Sequence, residues 1–300
     1  MTFIDRLNGT AEEIETGLAA LLRQHAAAGA PERLVAAMRH AVLGGGKRLR
    51  PYLLVESARV FGVPAERSLW AGLAVELVHG YSLVHDDLPA MDNDRLRRGQ
   101  PTVWAAFDEW TAILAGDGLL TLAFEVLADP GLDVDPNVRC EIVRELALAA
   151  GGAGMVGGQA IDLAADKLRQ PASPTLDHVR RLQAMKTGAL IRFSAEAGAI
   201  LGRAAPRERA AMRHYGEALG LAFQIADDLL DAEGTEAEVG KAVGKDAAAG
   251  KATLVSLLGI EASRAELERA RHAAELALEP FGARAFPLRA CAEFVAHRKS

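Results

Sequence analysis

Two short runs of aspartates interrupt an otherwise Ala- and Leu-rich chain, and their spacing suits a hard cation. The first, YSLVHDDLPAMDND over residues 81–94, sets Asp86, Asp87, Asp92 and Asp94 directly after an apolar stretch. The second, FQIADDLLD over residues 223–231, holds Asp227, Asp228 and Asp231, with Asp227 standing 141 residues after Asp86. On a helix Asp227 and Asp231 are i and i+4, roughly 6 Å apart on one face, so the pair repels itself. A lone acidic run is ordinarily a solvated helix face. Two such runs on apolar helices make sense when a cation sits among the carboxylates. Magnesium fits best, because it takes oxygen ligands and is usually held by one or two carboxylates together with substrate phosphates.

A phosphorylated ligand needs positive partners, and these are grouped beside the acids. Lys47, Arg48 and Arg50 follow Gly44, Gly45 and Gly46; Arg95, Arg97 and Arg98 follow the first acidic run; Lys186 and Thr187 precede Gly188; Lys241, Lys245 and Lys251 follow the second run. Arginine grips phosphate through its planar fork, and lysine acts as a point charge. Two glycine patterns mislead. The GxGxxG over 152–157 has no strand before it, and Lys47 lacks the following Ser or Thr of a P-loop, so neither reads as a nucleotide fingerprint. The glycines at 152–157 read as close helix packing.

The elements that must position these residues are helices. Apolar periodicity predicts helices over 11–28, 31–43, 50–61, 66–88, 102–128, 136–166, 175–203, 206–232, 252–278 and 285–297, with breaks at Gly- and Pro-rich punctuation. Strand alternation is nowhere sustained. No composition shift divides the chain, so the expectation is one all-α domain over 1–300, a bundle of about ten or more helices.

Composition narrows the function classes. Half of the 300 residues are apolar and only 5% aromatic, while 34 basic against 40 acidic side chains give a formal charge of −6. A general nucleic-acid binder carries a clear positive excess, so that class is disfavoured. Cys140 and Cys291 lack metal or disulfide spacing and read as free thiols of a reduced cytoplasm. The N-terminal residues are too acidic for a signal peptide. The best apolar stretch, 112–128, contains Asp117 and Glu125, which disfavours membrane insertion and suits a cytoplasmic protein.

The chain resembles the trans-isoprenyl diphosphate synthases (polyprenyl synthetases), specifically their bacterial farnesyl-forming branch, over nearly its whole length. The matching segments are GGGKRLRP (44–51), HGYSLVHDDLPAMDNDRLRRGQPT (79–102), AILAGDGLL (112–120), GMVGGQAIDL (154–163), MKTGAL (185–190), GLAFQIADDLLD (220–231), VGKAVGKDAAAGKATL (239–254) and LRACAEFV (288–295). The resemblance implies the isoprenoid synthase fold, a bundle around a central cavity. It implies that Asp86, Asp87 and Asp92, with Asp227, Asp228 and Asp231, hold about three Mg²⁺ ions around an allylic diphosphate. Arg97, Lys186, Thr187, Gln224, Lys241 and Lys251 match positions that grip that diphosphate. Lys47, Arg50, His79 and Arg98 match those that bind isopentenyl diphosphate; without the resemblance, His79 reads as a core histidine. A homodimer is likewise implied.

The resemblance also bears on product length. Tyr81 and Ser82, five and four positions before Asp86, would floor the tail pocket roughly 6 to 8 Å along the helix from the diphosphate end. The bulk of Tyr81, together with Pro89 and the longer spacing between Asp87 and Asp92, points to a farnesyl product; geranylgeranyl and geranyl diphosphate are the alternatives. Two positions depart from the family pattern: Arg95 stands where another acid is frequent, and His40 where an aromatic residue is common. A terpene cyclase would leave Lys47, Arg50 and His79 idle. A scaffold role would not need two intact aspartate motifs, and a di-iron bundle would need Glu-x-x-His motifs on two facing helices, where the sequence has a single one at Glu76 and His79.

Overall fold

A capping box opens the chain: the Thr2 hydroxyl accepts from the Asp5 N–H at 3.2 Å and the Thr2 N–H donates to the Asp5 carboxylate at 2.8 Å. Helix α1 therefore runs Phe3–Ala27, beginning well before residue 11. The computed structural model describes residues 2–130, 135–233 and 252–297. Helices α2 (Glu32–Val42), α3 (Leu49–Val60) and α4 (Ala65–Asp86) follow.

Four of the expected helices are subdivided. The stretch 102–128 breaks at Phe107 into α5 (Val103–Ala106) and α6 (Glu109–Ala128), because the Asp108 carboxylate caps the new start, accepting from the Thr111 N–H at 2.8 Å. The stretch 136–166 turns at residues 151–154 between α7 (Pro136–Ala150) and α8 (Met155–Leu168). The stretch 175–203 stays helical but carries a π-turn, Ala184–Gly188, between α9 (Leu176–Gln183) and α10 (Ala189–Leu201). After α11 (Pro206–Glu233), the stretch 252–278 is cut by Gly259 at φ 81° into α12 (Leu254–Leu258) and α13 (Ile260–Ala277). A 3₁₀ segment, Glu279–Ala285, leads into α14 (Phe286–His297). One element was not foreseen: a hairpin of β1 (Leu96–Arg97) and β2 (Gln100–Pro101). Its two turn residues, Arg98 (φ 53°) and Gly99 (φ 77°), both have positive φ, which is the geometry of a tight two-residue hairpin.

Two apolar clusters form the core. One gathers α1, α2, α4, α6 and α7; the other gathers α11, α13 and α14; α3 and α10 contribute to both. Helix α10 is further locked at Glu196, 1% exposed, which accepts from Arg192 at 3.0 Å, Arg209 at 2.6 Å and Arg213 at 2.6 Å. Burial opposes ionisation there, yet Arg213 and Arg209 hold the carboxyl below its usual range. Helix α14 is pinned by Tyr52 and Tyr215, whose hydroxyls donate to the carbonyls of Pro287 at 3.2 Å and Leu288 at 2.8 Å. Both cysteines are free thiols: Cys140 is exposed, and burial pushes the Cys291 thiol up to about 12. Helix α6 passes the length and composition test for a membrane span, but half of its apolar window is buried inside the protein, as in the core helix of a globular fold.

Candidate active site

The C-terminal turns of α4, the N-terminal half of α8 and the π-turn enclose a cavity of about 360 Å³. Tyr81, Ser82, Met155, Val156 and Leu163 form its apolar part, and Arg50, His79, Asp86, Lys186 and Thr187 line it as well. Tyr81 is buried, its ring edge-on to His85 at 5.8 Å and 76°, and His85 Nε2 lies 3.0 Å from the Ile113 carbonyl oxygen of α6. The Ser82 hydroxyl turns back to the His79 carbonyl at 2.8 Å, so of these two residues Tyr81 presents the bulk to the cavity.

At the polar end, Asp86 ends α4, and the Asp92 N–H donates back to the Asp86 carbonyl at 2.9 Å, closing the loop and bringing the first-run aspartates together. Burial pushes Asp86 up to about 6 against the pull of Lys186, and Asp92 and Asp87 add to the push. Asp87 is buried and accepts a two-pronged contact from Arg97 of the hairpin, Nη2 at 2.6 Å and Nε at 3.0 Å. The hairpin thus delivers Arg97 to the aspartates and aims Arg98 at the glycine loop, where its guanidinium donates to the Gly45 carbonyl.

Two residues with no role assigned from sequence hold this end in place. Gln159 donates to the Asp86 carboxylate, and Lys186 Nζ pairs with Asp162 at 2.6 Å. Gln159 and Asp162 are i and i+3 on α8, hence on one face. That face comes close because Gly158 has no side chain: a Cβ there would lie 2.2 Å from the Lys186 backbone nitrogen. Two polar residues three apart within the helical GMVGGQAIDL segment were the available signal. For the hairpin, Gly99 was the lone turn signal, because an arginine at the first turn position does not announce positive φ.

Arg50, with neutral His79 beside it, forms a cationic corner. Burial lowers the Arg50 pKa, with Glu76 and Asp227 partly compensating and Arg98 opposing, and its buried Nε has no hydrogen-bond partner. Burial also holds His79 well below the usual histidine value, and Arg50, Arg98, Arg97 and Arg48 reinforce the shift, so the ring stays neutral. A crowd of guanidiniums with an orphaned donor calls for an anion. Lys47, on the preceding loop, lies over the Phe294 ring of α14 at 5.6 Å.

Several expected residues sit elsewhere. Arg48, at φ 47°, is turned into the core, donating to Glu76 at 2.6 Å and Glu15 at 2.7 Å, and is a structural cation. Arg95 stacks on Trp104 at 4.9 Å. Asp228 is buried and accepts from Gln183 Nε2 at 3.0 Å and the Leu254 N–H at 3.1 Å, so it anchors α12 and the end of α9 to α11. Asp227 and Asp231 remain on a different face of α11, half-buried, with Gln224 one turn before Asp227; none of the three lines the cavity. Lys241, Lys245 and Lys251 lie outside the described residues.

The donor set suits magnesium. It is all carboxylate, partly buried, and Asp86 is crowded by like charges that a divalent cation would relieve. Among the described residues, however, no three metal-binding side chains converge on one point. Substrate oxygens would have to complete any coordination shell, which is how magnesium is generally bound.

The Polyprenyl synthetase family profile matches residues 31–278. The chain is 41% identical to a farnesyl diphosphate synthase of Geobacillus stearothermophilus over 87% of its length and 86% of the relative's. It is 46% identical to the farnesyl diphosphate synthase of Escherichia coli over 77% of each chain, and 42% identical to a chloroplastic geranylgeranyl pyrophosphate synthase of Arabidopsis thaliana over 89% of this chain and 75% of that one. A crystal structure of an FPP/GFPP synthase from Zymomonas mobilis superposes with a TM-score of 0.87 at 44% identity, covering 98% of this chain and 100% of that one. With an aspartate-edged apolar cavity, a cationic corner beside it and these likenesses in sequence and fold, the chain belongs to the polyprenyl synthetase family.

Proposed function

We propose that this chain condenses isopentenyl diphosphate with dimethylallyl or geranyl diphosphate to form farnesyl diphosphate. The observation that carries the proposal is an apolar cavity, lined by Tyr81, whose polar end holds Asp86 and Lys186 beside the orphaned guanidinium nitrogen of Arg50. An allylic diphosphate places its hydrocarbon tail against Tyr81 and its head at Asp86, Asp87, Asp92, Asp227 and Asp231, with Arg97, Lys186, Thr187 and Gln224 as further contacts. Lys241 and Lys251 join from beyond the described residues. Magnesium held by these aspartates supplies electrophilic assistance to the departing diphosphate.

The chain's own residues do the rest. Arg97 exchanges Asp87 for the leaving group, and Lys186, oriented by Asp162, adds fixed positive charge where negative charge develops. The apolar wall keeps water from the allylic cation. Lys47, Arg50, neutral His79 and Arg98 hold isopentenyl diphosphate so that its double bond faces the cation. A carbon–carbon bond forms, the carbon–oxygen bond to diphosphate is already broken, and a proton leaves to the released diphosphate. No side chain is required as the base.

The protein acts as one cytoplasmic catalytic domain that spans no membrane and binds no nucleic acid. It pairs as a homodimer through α6 and α7, which expose the large apolar side chains Trp110, Ile113 and Leu114 on the first helix and Leu148 on the second. Incubation with dimethylallyl and isopentenyl diphosphates and Mg²⁺, then dephosphorylation and chromatography, tests the function. Farnesol is expected, geranylgeraniol would overturn the product length, and no prenyl alcohol would overturn the function.

A further inference from the structure

A second cavity, of about 620 Å³, lies on the other side of α4. Val84 and Asp87 line it from the helix face opposite Tyr81, Ser82 and Asp86, Leu83 borders both cavities, and α2, the β1–β2 hairpin and α5 supply the other walls. Neither Lys47, Arg50, His79 nor Lys186 reaches it. Its lining is divided. Leu43, Val84, Val103 and Phe107 are apolar; Arg39, His40, Arg97 and Arg98 are basic; Asp87 is the one carboxylate and is already paired with Arg97.

The basic half has capacity to spare. Among the described residues nothing pairs with the half-buried Arg39 guanidinium. Arg98 is an exposed residue, but partial desolvation of its guanidinium and the like charges of Arg48 and Arg97 outweigh Glu76 and disfavour its charged form, so a nearby anion would be welcome. His40, one of the two departures from the family pattern, builds the wall between the halves. Its Nε2 lies 2.7 Å from the Pro101 carbonyl oxygen, and its ring meets Phe107 edge-on at 5.9 Å.

We propose that this cavity is an inhibitory site for a single-chain amphiphile ending in a phosphate or diphosphate, its head on Arg39 and Arg98 and its tail along Leu43, Val84 and Phe107. The inhibitory effect rests on the function proposed above. Arg97 and Arg98 form walls of this cavity and are also the groups offered to the substrate diphosphates, so an occupant draws them away. Coupling of this kind is reciprocal: the amphiphile weakens allylic diphosphate binding by the same factor as the diphosphate weakens the amphiphile.

Dodecyl phosphate is a suitable probe, because its saturated chain cannot ionise as an allylic substrate does. Calorimetric titration of the full chain is expected to find two equivalents bound, one in each cavity. Ala36→Trp, on the exposed rim of α2, fills the second cavity, and Arg39→Glu reverses its spare charge; neither residue belongs to the catalytic machinery. Each variant, with an unchanged melting temperature, is expected to bind one equivalent and to show competitive inhibition against the allylic diphosphate where the parent shows mixed inhibition. Inorganic phosphate is expected to bind the second cavity about tenfold more weakly or worse, a difference of about 1.4 kcal/mol. One equivalent in the parent, or two in both variants, would overturn the site, and equal binding of inorganic phosphate would overturn the amphiphile. The calorimetry needs no turnover, so a chain that binds two equivalents but forms no prenyl product would refute the proposed function and leave this site standing.

Discussion

Replacing Tyr81 with alanine is expected to lengthen the product by one isoprene unit. The ring lines the cavity five residues before Asp86, about 7.5 Å along α4, where the proposed function makes it the floor. Without it the next side chains toward the helix start are Val78 and Leu77, both 0% exposed and set in the core. They lie about one turn, 5.4 Å, further down. An isoprene unit is four carbon–carbon links long and spans about 5 Å at ordinary bond lengths. The new space therefore admits one more unit and then stops the tail again. Removing a buried aromatic ring costs about 3–5 kcal/mol in a filled core. Here the ring borders an existing cavity, so the lower end of that range applies and the variant remains folded. The assay is chain-length analysis of radiolabelled products, with thermal melting as the control for folding. The ratio of geranylgeranyl to farnesyl product should rise about tenfold or more, equivalent to about 1.4 kcal/mol of discrimination. Tyr81→Phe keeps the ring's bulk and should keep the parent product. A folded Tyr81→Ala variant that still stops at farnesyl would refute the assignment of Tyr81 as the floor.

The adjacent aspartates of the second run should behave differently. Asp227→Ala is expected to abolish turnover with the melting temperature unchanged. Asp228→Ala leaves the Gln183 and Leu254 donors buried without an acceptor, so chemical denaturation should show a loss of about 2–4 kcal/mol. Asp162→Asn frees Lys186 from its anchor and should raise KM for the allylic diphosphate more than KM for isopentenyl diphosphate; equal changes in steady-state kinetics would contradict the positioning role. Glu196→Gln removes the charge shared by Arg192, Arg209 and Arg213 and should cost about 3–5 kcal/mol by equilibrium unfolding, with the product unchanged. His79 is held neutral in the native state, whereas the unfolded chain takes up a proton near the ordinary value of 6.5. Above that pH neither state is charged at this residue. Below it only the unfolded state gains the proton, so stability falls as pH drops, and His79→Gln should flatten the acid side of the stability profile.

Much of this protein is legible from residue order alone, because helix period, punctuation and charge grouping are local properties. The ten periodic stretches map onto helices, and the two aspartate runs with their neighbouring cations carry the proposal of a diphosphate held through magnesium. What order could not convey is which way each charged side chain turns. Arg48 and Arg50 stand two residues apart in one basic group, yet the left-handed backbone at Arg48 sends its side chain to Glu76 and Glu15, while Arg50 faces the cavity. Asp227 and Asp228 are adjacent, but a step of about 100° around the helix leaves Asp227 half-buried on another face while Asp228 is turned against Gln183. Gln159 and Asp162 acquire their roles only because Gly158 lets α8 approach the π-turn, a contact between segments distant in sequence. Local spacing determined the chemistry available to this chain; tertiary packing decided which of the charges line the cavity and which hold the fold, because a charge buried away from the cavity, as at Arg48 or Asp228, is costly unless it is paired inside the protein.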